Sequence, residues 1–216
     1  MDMMLRNQNR LTLTESPQPM KCARAIRGLL HLAFLAVVLA GCASPPYRET
    51  QQGKFSGSLD VRWVHNDYFL FLPNQDEPFT FTRKDGSEIR PGPMYTDGAS
   101  IPRYLWGIKG YSPWGYAPAY IVHDWLFEAH HCGYEPDNRY TFAESVTVMG
   151  ESLKALMEAN PGYRNYFVFD SVVAAAASPI AQRLWEEGSC KPPPFDFEAV
   201  PATALPGELI MTIRFK

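Results

Sequence analysis

Two short segments carry the side chains that could do chemistry. The first is TDGASIPR at 96–103, which contains Asp97 and has the composition of a loop. The second is IVHDWLF at 121–127, in which His123 and Asp124 stand among large apolar side chains. An ionisable pair is costly to bury without hydrogen-bonding partners. We therefore expect the loop and the pair to converge in space and satisfy one another.

These segments, together with Glu144 further along the chain, suggest a metal site. The candidate ligands are three carboxylates and one imidazole, from Asp97, His123, Asp124 and Glu144. This ligand set suits zinc, manganese or iron, so the implied cofactor is a divalent metal ion and the implied chemistry is metal-dependent hydrolysis. Neighbouring helical residues point about 100° apart, so His123 and Asp124 can share one ion only where the helix is distorted. His130, two turns further along the same face, is an additional candidate ligand.

The same residues have purely structural interpretations. Asp97 can bond backbone amides in a tight Asp-Gly turn. Glu144 can close a capping box with Thr141 at the start of a helix. His123 can form a buried hydrogen-bonded pair with Asp97. The sequence leaves these alternatives open.

A serine hydrolase is a further interpretation, with Ser100 as nucleophile, His123 as base and Asp97 or Asp124 as the orienting acid. Ser100 lacks the Gly-x-Ser-x-Gly elbow, and the proline two residues later supplies no amide hydrogen for an oxyanion hole. The sequence disfavours this interpretation. Because no complete nucleophile or ligand motif is present, whether the protein is an enzyme stays open.

Five aromatic residues lie between the two segments, Tyr104, Trp106, Tyr111, Trp114 and Tyr116. Core packing is the favoured role for this series, with Trp106 expected to be buried, and a binding groove is the alternative. Tyr111 and Trp114 stand among glycine, serine and proline, which favours exposure. Such side chains suit an envelope glycan, peptide or protein partner. We favour a structural or ligand-binding module over a metal-dependent hydrolase acting on an envelope substrate.

The amino-terminal residues have the pattern of an export signal. A positive run is followed by an apolar block of about twelve residues, 29–40, interrupted only by His31. The block is too short to span a hydrocarbon core of about 30 Å. We therefore predict a signal peptide over residues 1–41, with Met20 as an alternative start.

The signal ends in Leu39-Ala40-Gly41-Cys42, which resembles the lipobox of bacterial lipoproteins. This resemblance implies acylation of Cys42, with palmitate among the acyl chains, and stable membrane attachment on the periplasmic face. Ala43, where an aspartate would favour inner-membrane retention, points to the outer membrane. Residues 42–53 are predicted to form the lipidated cysteine and a polar tether.

Charge and cysteine content limit the partners and the compartment. The net charge is −3, and residues 1–41 carry five basic and two acidic residues, so the remainder carries −6. This acidic balance makes nucleic acid an unsuitable partner. After lipidation of Cys42, Cys132 and Cys190 can bridge in an oxidising periplasm, which would stabilise the fold by roughly 4 kcal/mol, or remain two free thiols.

The elements that must position these residues indicate one α+β domain over 54–216. Alternating runs predict strands at 54–64, 68–72, 79–83 and 87–90, with a hairpin turn at 84–86 and a last strand at 208–215. Apolar residues at a 3.6 period predict about three helices, near 116–133, 139–160 and 166–186, the third kinked or divided at Pro179. We expect a small antiparallel sheet packed against these helices.

The two segments together resemble the DUF1353 family. TDGASIPR, then Trp106, then HDWLF occur in the family's order with similar spacing, although Phe127 replaces the commoner tyrosine. The resemblance covers roughly Leu70 to Met157. It implies a fold but no activity, since the family is named for its unknown function.

Overall fold

The longest strand, β1, is the centre of an antiparallel sheet in the computed structural model, which describes residues 46–65, 68–96, 115–192, 197, 199–200 and 204–215. β1 spans Lys54–His65 and pairs with β2 (Tyr68–Pro73), β3 (Thr80–Thr82) and β6 (Glu208–Phe215). Two short strands extend the sheet, β4 (Glu88–Ile89) beside β3 and β5 (Met94–Thr96) beside β2. The predicted α+β class and the return of the last strand to the sheet are confirmed.

The turn between β3 and β4 is the predicted hairpin. Gly86 has a φ of +86°, a conformation that side-chain-bearing residues rarely adopt. The Asp85 carboxylate accepts hydrogen bonds from the Ser87 backbone amide at 2.8 Å and from its hydroxyl at 2.6 Å. These contacts fix the register of the two strands, so Lys84 lies exposed at the tip.

The helices follow the predicted order. They are α1 (Ala117–Cys132), α2 (Phe142–Ala159), α3 (Tyr166–Ala176) and α4 (Pro179–Glu187). Pro179 divides the third predicted helix into α3 and α4, and the Ser178 hydroxyl accepts from the Ala181 amide at 3.2 Å to cap α4. There are therefore four helices in the described part of the chain, where about three were predicted. None of these helices is long and apolar enough to cross a membrane.

α1 contributes to both hydrophobic clusters of the domain. Ile121 and Leu126 pack towards the sheet, with the buried residues of β1, β3 and β4. Ala119 and Tyr120 belong to a second cluster, with α2 and α3. Apolar side chains surround α1 in both clusters. A polar side chain on the buried surface of α1 therefore has few hydrogen-bonding partners nearby, and leaving it unpaired costs free energy.

The predicted tether packs on the domain from residue 46 onward. Tyr47 is buried, its hydroxyl donates to Glu158 at 2.7 Å, and its ring lies edge-on to Phe169. At Gly53 a β-carbon would lie 2.5 Å from the Phe81 ring, so only glycine allows this close approach to β3. Of the predicted tether, only residues 42–45 precede this packed segment, and they lie outside the described residues.

Candidate functional site

His123 is buried on α1 with no polar partner within the described part of the chain. Its side chain is 6% exposed and its ring lies 5.0 Å from that of Phe127. Neither ring nitrogen has a hydrogen-bond partner there. Burial lowers the pKa of His123 to about 4. At neutral pH the imidazole is therefore uncharged, with one N–H donor and one lone pair that can accept a proton or bind a metal.

Asp124, the next residue of α1, contacts the end of the sheet. Its partly exposed carboxylate accepts a hydrogen bond from the Thr96 hydroxyl at 3.2 Å. Thr96 is the last residue of β5 and immediately precedes Asp97. The predicted loop therefore begins against α1. Asp97 itself lies outside the described residues, so its convergence with His123 and Asp124 stays a prediction.

The remaining loop residues also lie in the range 97–114, outside the described part of the chain. They include the nucleophile candidate Ser100, Trp106 of the family pattern, and the side chains expected to be exposed for binding, Tyr111 and Trp114. The roles given to them from the sequence stay predictions.

Glu144 forms the capping box that was the structural alternative for this residue. Its carboxylate accepts from the Thr141 backbone amide at 2.8 Å and from the Thr141 hydroxyl at 2.7 Å. The Thr141 hydroxyl in turn accepts from the Glu144 amide at 3.3 Å. The backbone hydrogen bond from Thr141 is the main cause that lowers the pKa of Glu144. This exposed carboxylate thus stabilises the first turn of α2.

The three described candidate ligands do not gather around one point. The ligand atoms of His123, Asp124 and Glu144 do not all lie within 4.8 Å of one another. Within the described ranges that spacing is met only by Glu128 with Cys132 and Cys190. There the two sulfurs are joined in a disulfide and do not supply thiolate ligands. A metal site at His123 would therefore need ligands from residues outside the described ranges.

The end of α1 is held against α4. Cys132 and Cys190 form the predicted disulfide, which joins residues 58 positions apart. His130, the additional candidate ligand, is exposed and stacks on the Trp185 ring at 4.2 Å. The ring of His131 lies with Nε2 3.0 Å from the Trp185 carbonyl oxygen. These contacts give the carboxyl end of α1 a structural role.

A buried ion pair between β3 and α2 was not predicted from the sequence. Arg83 follows β3 and donates from Nε at 2.7 Å and from Nη2 at 2.9 Å to the two carboxylate oxygens of Glu151. The side chains are 16% and 5% exposed. The hydrogen bond to Glu151 is the largest cause that raises the pKa of Arg83. The sequence did contain one indication of this pair. Glu151 lies on the same face of α2 as Val148 and Ala155, which are both buried towards the sheet.

The burial of His123 predicts a pH-dependent stability. Its folded pKa is about 4, below the unfolded value of about 6.5, so protonation favours the unfolded chain. The stabilisation is complete above pH 6.5 and is lost as the pH falls from 6.5 towards 4. Between pH 7 and pH 5 we expect this residue to reduce the free energy of unfolding by about 2 kcal/mol. Urea unfolding of the wild type and His123→Gln at both pH values measures the difference. An equal pH dependence in the two proteins would refute the assignment.

Comparison with known families shows a match to part of the chain. No curated protein and no solved structure matches the chain significantly. A family model described as "Protein of unknown function (DUF1353)" matches residues 75–158, a range that includes β3, β4, β5, α1 and most of α2. The matched range contains both TDGASIPR and HDWLF, and over this range the chain is similar to the DUF1353 family.

Proposed function

We propose that the protein is an envelope lipoprotein, anchored through lipidated Cys42 on the periplasmic face of the outer membrane, with residues 1–41 as its signal peptide. The observation that carries this proposal is the disulfide between Cys132 and Cys190. Structural disulfides persist in oxidising compartments and are rare in the bacterial cytoplasm. The bridge therefore supports the export that the amino-terminal pattern predicts.

Lipidation is tested by replacing its acceptor. We expect Cys42→Ser to abolish labelling by a fatty-acid probe in cells and to leave a precursor of higher mass, because no thiol is available for acylation. The matched control is Cys22→Ser, which removes a cysteine from the predicted signal peptide and should keep wild-type labelling and processing. Equal label on the wild type and Cys42→Ser would remove the assignment.

We propose that the exported domain acts as a binding module, with its site where β5 meets α1. Asp124 is partly exposed there beside Thr96. The loop that follows carries the aromatic residues expected to contact an envelope glycan, peptide or protein. Binding is favoured over hydrolysis because the described candidate ligands do not gather and Glu144 is engaged in a capping box.

A metal-dependent hydrolase is the second candidate, and one observation favours it. Both ring nitrogens of buried His123 lack hydrogen-bond partners within the described ranges, and the neutral imidazole is the form that binds metals. A ligand from the loop after Thr96 would complete such a site.

Metal content separates the two candidates. For the full-length protein purified without chelators, the binding module predicts substoichiometric metal, unchanged in His123→Ala. We also expect a lower melting temperature for His123→Ala, because a buried side chain is lost. The control Glu144→Gln keeps the capping box but removes a charged candidate ligand. Stoichiometric metal in the wild type that is lost from His123→Ala would establish the metal site and reject the simple binding module.

A further inference from the structure

A positively charged cleft lies between the packed amino-terminal segment, the β3–β4 hairpin and α2. Its volume is about 640 Å³. Five cationic side chains and one carboxylate line it, from Arg48, Lys54, Arg83, Lys84, Lys154 and Glu49. These side chains sum to +4, and to +3 once the Glu151 carboxylate that pairs with Arg83 is included, in a chain whose residues 43–216 carry −6. This segregation of charge marks the cleft as a site for an anion.

Two of the cations are held in place by the fold. The Lys154 ammonium donates to the backbone carbonyl oxygens of Tyr47 at 2.9 Å and Thr50 at 2.8 Å. An ammonium has three N–H donors, so one remains for a ligand. The Arg83 guanidinium uses Nε and one Nη2 hydrogen on Glu151 and retains further N–H donors. The fold already orders these two side chains. Binding a ligand would therefore immobilise them at little further cost in conformational entropy.

The other three cations carry uncompensated charge. Arg48, Lys54 and Lys84 are exposed, and none forms an ion pair with a carboxylate within the described ranges. Arg48 belongs to the packed segment, Lys54 begins β1, and Lys84 lies at the hairpin tip. Cations on three separate elements therefore border one cleft, an arrangement that suits an anion with several oxygen atoms.

We infer that this cleft binds a phosphate ester, in a lipid headgroup or as a free phosphate compound. Charge-assisted hydrogen bonds from lysine and arginine favour phosphate oxygens. The headgroup source rests on the proposed anchor: Cys42 is six residues before Arg48, so an extended chain places the two α-carbons at most about 20 Å apart. That distance would hold the cleft near the membrane surface, where cations attract anionic lipids.

The test is calorimetric titration of the full-length protein in non-ionic detergent at low ionic strength. One arm uses inorganic phosphate, and the other uses detergent micelles that contain phosphatidylglycerol or, for comparison, phosphatidylcholine. We expect saturable binding that weakens roughly 100-fold in Arg48→Gln/Lys54→Gln/Lys84→Gln, about a factor of five for each cation. These side chains are exposed and form no described ion pair, so the melting temperature should stay at the wild-type value.

The matched control is Arg183→Gln/Lys191→Gln/Arg214→Gln, which removes the same charge from exposed positions outside the cleft lining. It should bind like the wild type. Tighter binding to phosphatidylglycerol micelles than to phosphatidylcholine micelles or inorganic phosphate assigns the ligand as a lipid headgroup. Binding to inorganic phosphate with the same affinity as to phosphatidylglycerol micelles assigns it as a free phosphate. Absence of saturable binding in both arms, or equal weakening in the control, overturns the inference. Neither triple variant alters Cys42, so fatty-acid labelling separates failure of this site from failure of the anchor.

Discussion

Replacing Glu151 by glutamine should lower the free energy of unfolding by roughly 3 to 5 kcal/mol. In the wild type, both oxygens of this 5%-exposed carboxylate accept hydrogen bonds from Arg83. The variant leaves the guanidinium, which is 16% exposed, without its counter-charge between β3 and α2. Breaking one partner of a buried pair is costly because the other charge remains desolvated. Urea denaturation followed by circular dichroism measures the loss.

An exposed ion pair in the same region provides the control. Glu88 pairs with Arg90, and their side chains are 43% and 63% exposed. Solvent screens this pair, so Glu88→Gln should change the free energy of unfolding by no more than about 0.5 kcal/mol. Similar small changes for Glu88→Gln and Glu151→Gln would show that the buried pair does not hold β3 to α2.

Removal of the disulfide is the second large effect that we expect. The double variant Cys132→Ser/Cys190→Ser should lose about 4 kcal/mol of stability, because an open chain of 58-residue separation gains conformational freedom when unfolded. The measurement is the melting temperature with and without a thiol reductant.

The reductant supplies an internal control for this prediction. It should lower the melting temperature of the wild type towards that of the double variant, and it should leave the double variant unchanged. A wild-type melting temperature that does not respond, together with free thiols detected by alkylation of the denatured protein, would contradict the bridge.

The elements with strong periodic patterns could be predicted from the sequence. The apolar face of α2, with Val146, Met149 and Leu153, repeats at helical spacing and is buried. The alternation of side chains over 208–215 predicted the strand β6, which pairs with β1 in the sheet. Pro179 predicted the break between α3 and α4, because proline lacks the amide hydrogen that a helix interior needs. Each of these signals is local in the chain.

The elements that depend on distant contacts were missed. β5 is three residues long and follows Pro93, so it has too little alternation to be recognised, and its pairing with β2 defines it. Tyr47 lies in a segment of polar and proline residues, and only its contacts with α2 and α3 bury it. The Arg83–Glu151 pair joins residues 68 positions apart, beyond any local pattern.

Some features of the candidate site could likewise be predicted from local sequence, and others depend on distant contacts. The burial of His123 follows from its apolar helix neighbours, and the Thr141–Glu144 capping box follows from a short sequence signature. The contact between Thr96 and Asp124 depends on the packing of β5 against α1 and could be expected only from the energetic cost of an unsatisfied polar group. The cationic cleft combines three separate elements, so its charges are scattered along the sequence.

The mature chain should begin at a lipidated cysteine. Mass spectrometry of the amino-terminal peptide, from full-length protein expressed in cells and isolated from the membrane fraction, tests it most directly. We predict a peptide that begins at Cys42, carries a diacylglyceryl group on the thiol, and continues with Ala43. A peptide that extends unprocessed through Cys42 with a free thiol would contradict both cleavage before Cys42 and its lipidation.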